Sequence, residues 1–202
     1  MPLAMAASQF DAPHLNPNVL QLALNATGCA VVGGAADLPR TLTVIDYSRA
    51  STKPRFWVID LVTREVLFEE LVAHGSGSGD NFATRFSNDA DSHQSSLGLF
   101  VAEDAYTGKN GYSLRLRGLE PSNDRALERA IVIHGAPYVS HQSAATLGRL
   151  GRSWGCPALR PDVAAEIIDR VKGGGLIFAY YPDKTWLGES PFIGGCAAHG
   201  RT

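Results

Sequence analysis

The chain has 202 residues, is 45% hydrophobic and carries a formal net charge of −2. That length and apolar content bury a full core without staples, and a weakly acidic balance with scattered Lys and Arg argues against nucleic acid or an anionic membrane surface as partner. No apolar run approaches the ~20 residues of a membrane span, and the opening MPLAMAASQFDAP lacks the basic region and the apolar length of a signal peptide.

Residues 1–14 read as irregular. Asn16 followed by Pro17 is a helix start, and Val19, Leu20, Ala23, Leu24 and Thr27 recur at helical spacing until Gly28 or Gly33. After Leu38-Pro39 the pattern turns to β: LTVIDYS (42–48) and RFWVIDL (55–61) are short and rich in β-branched and aromatic residues, and Thr63-Arg64 turns the chain into EVLFEELVAHG (65–75). Gly75–Asn81 reads as flexible, and polar loop runs on to about Ser96. LGLFVAEDAY (97–106) and YSLRLRGL (112–119) alternate as strands around the turn 106–111. A polar, partly helical connection (120–130) leads to RAIVIHG (129–135), which has the unbroken apolar run of a buried strand.

A short helix is expected over 143–150. A clearer one opens at Pro161-Asp162 with Val163, Ile167, Ile168 and Val171 on one face and Gly173 as its stop; LIFAYYP (176–182) is the last strand. These elements predict a mainly β domain, largely antiparallel, with a few helices, built as a sandwich or a partly closed barrel.

The cysteines stand at 29, 156 and 196 with no CxxC or Cys/His ligand spacing, so neither a metal site nor any cofactor is expected. Cys29, in an apolar run, reads as a small buried hydrophobe, and Cys196 falls in a Gly/Ala-rich tail expected to be disordered. Cys156 differs: it sits in Gly-Arg-Ser-Trp-Gly-Cys-Pro-Ala-Leu (151–159). Glycine before it permits close backbone approach, and proline after it fixes the exit of the chain, a pairing that a core strand does not carry. His134 ends an apolar run and precedes Gly135. A thiol in a tight turn and a histidine at a strand end are the two parts of a cysteine nucleophile with its base, and the Gly155 and Cys156 amides are candidate oxyanion donors. His74 closes another strand, with packing and substrate binding evenly weighted. His14, His93 and His199 read as solvated, and His141 has no assigned role.

At these residues the chain resembles the L,D-transpeptidase catalytic-domain family of bacterial cell-wall enzymes, in the branch with Ser-Trp-Gly-Cys-Pro where most members carry Ser-His-Gly-Cys. The resemblance runs from about Leu42 to Pro182 and is most specific in RAIVIHGAPYVS (129–140) and GRLGRSWGCPAL (148–159). It divides the chain into an N-terminal extension with one helix (1–40), a catalytic domain (41–185) and a flexible C-terminal tail (186–202). It implies a transpeptidase fold in which Cys156 is the nucleophile, His134 the base and the Gly135 carbonyl the group that orients the imidazole. It further implies an oxyanion hole at the amides of Trp154, Gly155 and Cys156, with His74, Ser153 and Arg152 contacting substrate.

The implied partner is a peptidoglycan stem peptide, in the periplasm or cell envelope, with a carbapenem expected to trap the thiol. The chain departs from the common pattern at Trp154 and at Pro157-Ala158, where many relatives place an arginine two residues after the cysteine. Water as acceptor would make the protein an L,D-carboxypeptidase. A catalytically silent peptidoglycan-binding module is the alternative outside enzymology. The oligomeric state is not legible in the sequence.

Overall fold

A cap and a proline start the first helix. In a computed structural model of the chain, which describes residues 5–194 and Cys196, helix α1 (Pro17–Val32) begins where the Asn16 side chain accepts the Asn18 amide at 2.9 Å. Val19, Leu20, Ala23, Leu24 and Ala30 of α1 are buried in the same hydrophobic cluster as the central strands. The segment expected as an extension is therefore part of the core.

The strands are β1 (Thr41–Asp46), β2 (Phe56–Asp60), β3 (Val66–Glu70), β4 (Gly98–Gly108), β5 (Gly111–Gly118), β6 (Val132–Gly135), β7 (Ala158–Leu159) and β8 (Leu176–Tyr180). They form one eight-stranded sheet in the order β3-β2-β1-β8-β4-β5-β6-β7. β1 with β8 and β6 with β7 pair in parallel, the other neighbours antiparallel. Beyond β3 the chain reaches the opposite edge, where the Ala73 amide donates to the Ala158 carbonyl at 2.9 Å. The expected mainly β fold is thus a nearly closed barrel rather than two stacked sheets.

Three helices follow later in the chain: α2 (His141–Leu147), α3 (Pro161–Val171) and α4 (Lys184–Glu189). α3 buries Ala164, Ile167, Ile168 and Val171 against the sheet, close to the stripe read from its periodicity.

Three expectations are corrected. Gly75–Asn81 is not an open flexible loop: a Cβ on Gly75 would lie 2.3 Å from the His93 carbonyl oxygen, and one on Gly77 2.3 Å from that of Ser92. Glycine is needed there because two backbone segments lie directly against each other. The tail expected from residue 186 begins inside α4, and Trp186 and Phe192 are buried in the main cluster. Finally, Cys29 and Cys196 are joined in a disulfide, which leaves Cys156 as the free cysteine. The rest of the expected tail, 197–202 with His199, lies outside the described residues.

Candidate active site

β6 and β7 bring Cys156 beside the strand that carries His134. Their parallel register pairs His134 with Ala158, so Cys156, two residues before Ala158, is level with Val132. The thiol accepts the Val132 amide at 3.5 Å and points its own hydrogen at the Ala130 carbonyl, 3.7 Å away. The turn before it is tightly tied. Ser153 donates its hydroxyl to the Cys156 carbonyl at 2.6 Å and accepts the Gly155 amide at 3.1 Å. Gly155 holds φ of +120°, and a Cβ there would lie 2.8 Å from the Gln94 carbonyl oxygen. No other residue fits that position without displacing backbone.

His134 is buried, 5% exposed. Its Nδ1 lies 3.0 Å from the Gly135 carbonyl oxygen, which fixes Nδ1 as the protonated nitrogen and leaves Nε2 with a free lone pair. Burial pushes the imidazole below its usual range, and the Gly135 bond offsets part of that. Among the described residues the thiol makes no hydrogen bond to His134; its contacts are Val132 and Ala130. Nucleophile and base are often farther apart before substrate binds than after.

The oxyanion donors need revision. The Gly155 amide is already spent on Ser153, and the Gly155 carbonyl accepts from Ser95 at 3.2 Å. The amides with no acceptor among the described residues are those of Trp154 and Cys156. Ser153, which the resemblance placed both as the holder of the turn and among the substrate contacts, is 6% exposed and uses its hydroxyl to shape the turn.

His74 and Arg152 also support the turn. His74 is 1% exposed: its Nδ1 accepts from Arg55 Nη2 at 2.7 Å, and its Nε2 donates to the Gly79 carbonyl at 3.3 Å. Burial, with Arg55 beside it, pushes its pKa down to about 4. With both nitrogens engaged in a closed, neutral ring, His74 fits the packing reading of the two that were evenly weighted for it. Arg152 donates to the Gly79 carbonyl and to Asp80 Oδ1, each at 2.9 Å. The backbone completes the seam: the Ser153 amide donates to the His74 carbonyl and the Ser76 amide to the Ser153 carbonyl. Trp154 is 73% exposed, and its ring stacks on His93 at 4.8 Å between centroids with 6° between planes. His93, read as solvated, is half of an aromatic platform in which Trp154 lies two residues before Cys156.

Two arginines escaped the sequence reading. Arg55 is fully buried on β2's edge and donates to the carbonyls of Val72 and Arg49 as well as to His74. Arg129 donates to Ser87, Ser96, Ser92 and Gln94. The available signal was an arginine placed directly before each apolar strand, RFWVID and RAIVIHG, where burial makes a charge expensive. Tyr47 and Tyr138 each have a hydroxyl pushed up to about 12 by burial, an effect that Arg55 and Ser95 partly offset at Tyr47 and that the field of Cys156 adds to at Tyr138.

The family model for the L,D-transpeptidase catalytic domain matches residues 11–180. The chain belongs to that family. None of the curated proteins matches it. Among solved structures it is similar to an L,D-transpeptidase from Mycobacterium smegmatis, with 19% identity, TM-score 0.44, and 71% of this chain and 59% of that one covered. L,D-transpeptidase 1 of Mycobacterium tuberculosis is similar at 18% identity and TM-score 0.40, with 71% and 62% covered. An L,D-transpeptidase from Xylanimonas cellulosilytica is similar at 12% identity and TM-score 0.42, with 75% and 68% covered. The chain spans about three-fifths of the length of the first of these. For an L,D-transpeptidase domain the placement of Cys156 in the turn that enters β7, with His134 on the neighbouring parallel strand β6, is the feature to explain chemically.

Proposed function

We propose that this domain transfers acyl groups between peptidoglycan stem peptides through a thioester on Cys156. The observation that carries the reading is the thiol seated at the Val132 amide, one strand step from a histidine whose Nδ1 is tied to the Gly135 carbonyl. His134 Nε2 takes the thiol proton, and the sulfur attacks the carbonyl carbon of the amide joining an L-centre to a D-centre. The resulting oxyanion is received by the Trp154 and Cys156 amides. The imidazolium then gives its proton to the leaving amine of the terminal D-residue, and a thioester remains. In the second half, an amine of another stem attacks the thioester, His134 takes a proton from that amine, and the sulfur leaves and is reprotonated. The Gly135 carbonyl does the orienting that a carboxylate does in other triads.

The Cys29–Cys196 disulfide favours an oxidising compartment such as the cell envelope. In the described residues no helix is long and apolar enough to cross a membrane.

Intact-mass analysis tests the assignment. A carbapenem is expected to add to the wild type and not to Cys156→Ala, and equal labelling of the variant sinks the nucleophile. With stem peptides, cross-linked dimers support an amine acceptor. Shortened monomers alone assign hydrolysis instead.

A further inference from the structure

Cys156 lies in a turn that burial makes hostile to negative charge, yet the reaction needs its thiolate. Burial pushes the thiol up, while the Val132 amide and the Arg129 guanidinium pull it down. The hydrogen-bond geometry explains why Arg129 is free to act on the sulfur. Its Nη1 donates to the Ser87 carbonyl at 2.9 Å and to Ser96 Oγ at 2.6 Å. Its Nη2 donates to the Gln94 carbonyl at 2.8 Å and to Ser92 Oγ at 3.2 Å. All four acceptors are uncharged. They fix the fork in space without neutralising it, which differs from Arg160, held by the carboxylates of Glu70 and Asp162.

The position of the fork is as telling as its partners. Nη2 lies 3.4 Å from where a Cβ would stand on Gly155, the residue before the nucleophile. The next residue along the chain from Arg129, Ala130, holds φ of +53°, the left-handed region that a non-glycine residue rarely adopts. Its carbonyl is the one that faces the thiol at 3.7 Å. The residue next to Arg129 in the chain is thus the one whose carbonyl faces the sulfur.

We propose that Arg129 is the cation beside the nucleophile turn whose charge holds the Cys156 thiolate in its ionised, nucleophilic form. It is a positioning residue that acts through Cys156, and the inference rests on Cys156 being the nucleophile. The other groups around the sulfur do not replace it. Tyr47 and Tyr138 are neutral phenols in the working range, with pKa pushed up to about 12. His134, on β6, has its pKa lowered by burial, which favours the neutral imidazole. Around Arg129 itself, Asp89 raises and Arg125 lowers its proton affinity, while burial lowers it most.

The test is the pH profile of Cys156 alkylation by iodoacetamide, which reads the thiolate alone because Cys29 and Cys196 are paired. In Arg129→Gln the midpoint should rise by about one pH unit, making alkylation about tenfold slower at neutral pH. Arg129→Lys should return the midpoint most of the way to wild type, although it lacks the planar fork. An unchanged midpoint in Arg129→Gln overturns the proposal. So does an equal rise in Arg129→Gln and Arg129→Lys, since that would mean the tethered loop matters and the charge does not. Wild-type protein offers a measurement independent of how the variants fold. Iodoacetate, an anion, should gain on iodoacetamide at Cys156 relative to free cysteine, and a ratio at or below that of free cysteine also overturns it. None of these readings involves acyl transfer, so failure of the transpeptidase assignment would leave them intact.

Discussion

The two strand-end histidines make an instructive pair. His134 and His74 are both buried, both hold an imidazole pushed below its usual range by that burial, and both belong to strands or loops that pack on the Cys156 turn. They differ in what remains unbonded. His134 spends Nδ1 on Gly135 and keeps Nε2, whereas His74 spends Nδ1 on Arg55 and Nε2 on Gly79. Proton transfer requires an unspent nitrogen, so the first histidine is suited to chemistry and the second to holding a loop.

Substitution should separate the two. His134→Ala is expected to slow acylation of Cys156 by about 10²–10⁴-fold while the protein stays folded, followed by time-resolved intact mass. His74→Ala should do the reverse: it removes an acceptor from the buried Arg55 guanidinium and should cost about 1–3 kcal/mol in urea unfolding. Its acylation rate per folded molecule should fall far less than in His134→Ala. A His74 variant that folds normally but acylates as poorly as His134→Ala would break the comparison.

Stability against pH sharpens it further. His74 has a folded pKa of about 4, below the ordinary imidazole value of 6.5. Between those values the unfolded chain binds more protons, so the stabilisation is present above about pH 6.5 and lost as pH falls toward 4. At 1.36 kcal/mol per pH unit, the loss is on the order of 3 kcal/mol. His74→Gln should flatten that part of the profile when unfolding is compared at pH 7 and pH 4.5. An unchanged slope would mean that His74 is already protonated in the fold. The smallest effect is expected at the exposed platform: Trp154→Ala should change stability by no more than about 1 kcal/mol. It should nevertheless remove the ring-current shift of the His93 imidazole protons in an NMR spectrum, the direct signature of the stack.

Local signals marked the elements well where one stretch of chain decides them. Asn16-Pro17 starts a helix because a cap and a fixed φ act within a single turn. The turn read at 106–111 tightens to Lys109-Asn110 between β4 and β5, with Gly111 just after it at a φ of +75°. The segment 120–130 shows the limit. Its polar character promised partial helix, but Asn123 is buried and uses its side chain on the carbonyls of Leu97 and Leu99 and on the Glu120 amide, so its bonding is settled by distant strands. The serine–glycine run 75–79 looked flexible for the same reason: small residues mark both an open loop and a tight backbone seam, and only the neighbouring chain tells them apart.

By itself the sequence determined the chemistry-bearing motif, its family and the order of strands along the chain, because these rest on residue type and short-range spacing. Only the tertiary structure decided which polar atoms are left free. It closed the sheet through Ala73 and Ala158, consumed the Gly155 amide and both nitrogens of His74, paired Cys29 with Cys196, and set Arg129 among neutral acceptors beside the nucleophile turn. Each of those outcomes depends on partners from remote parts of the chain. A hydrogen bond or charge that is satisfied from far away leaves no mark in the residues next to it.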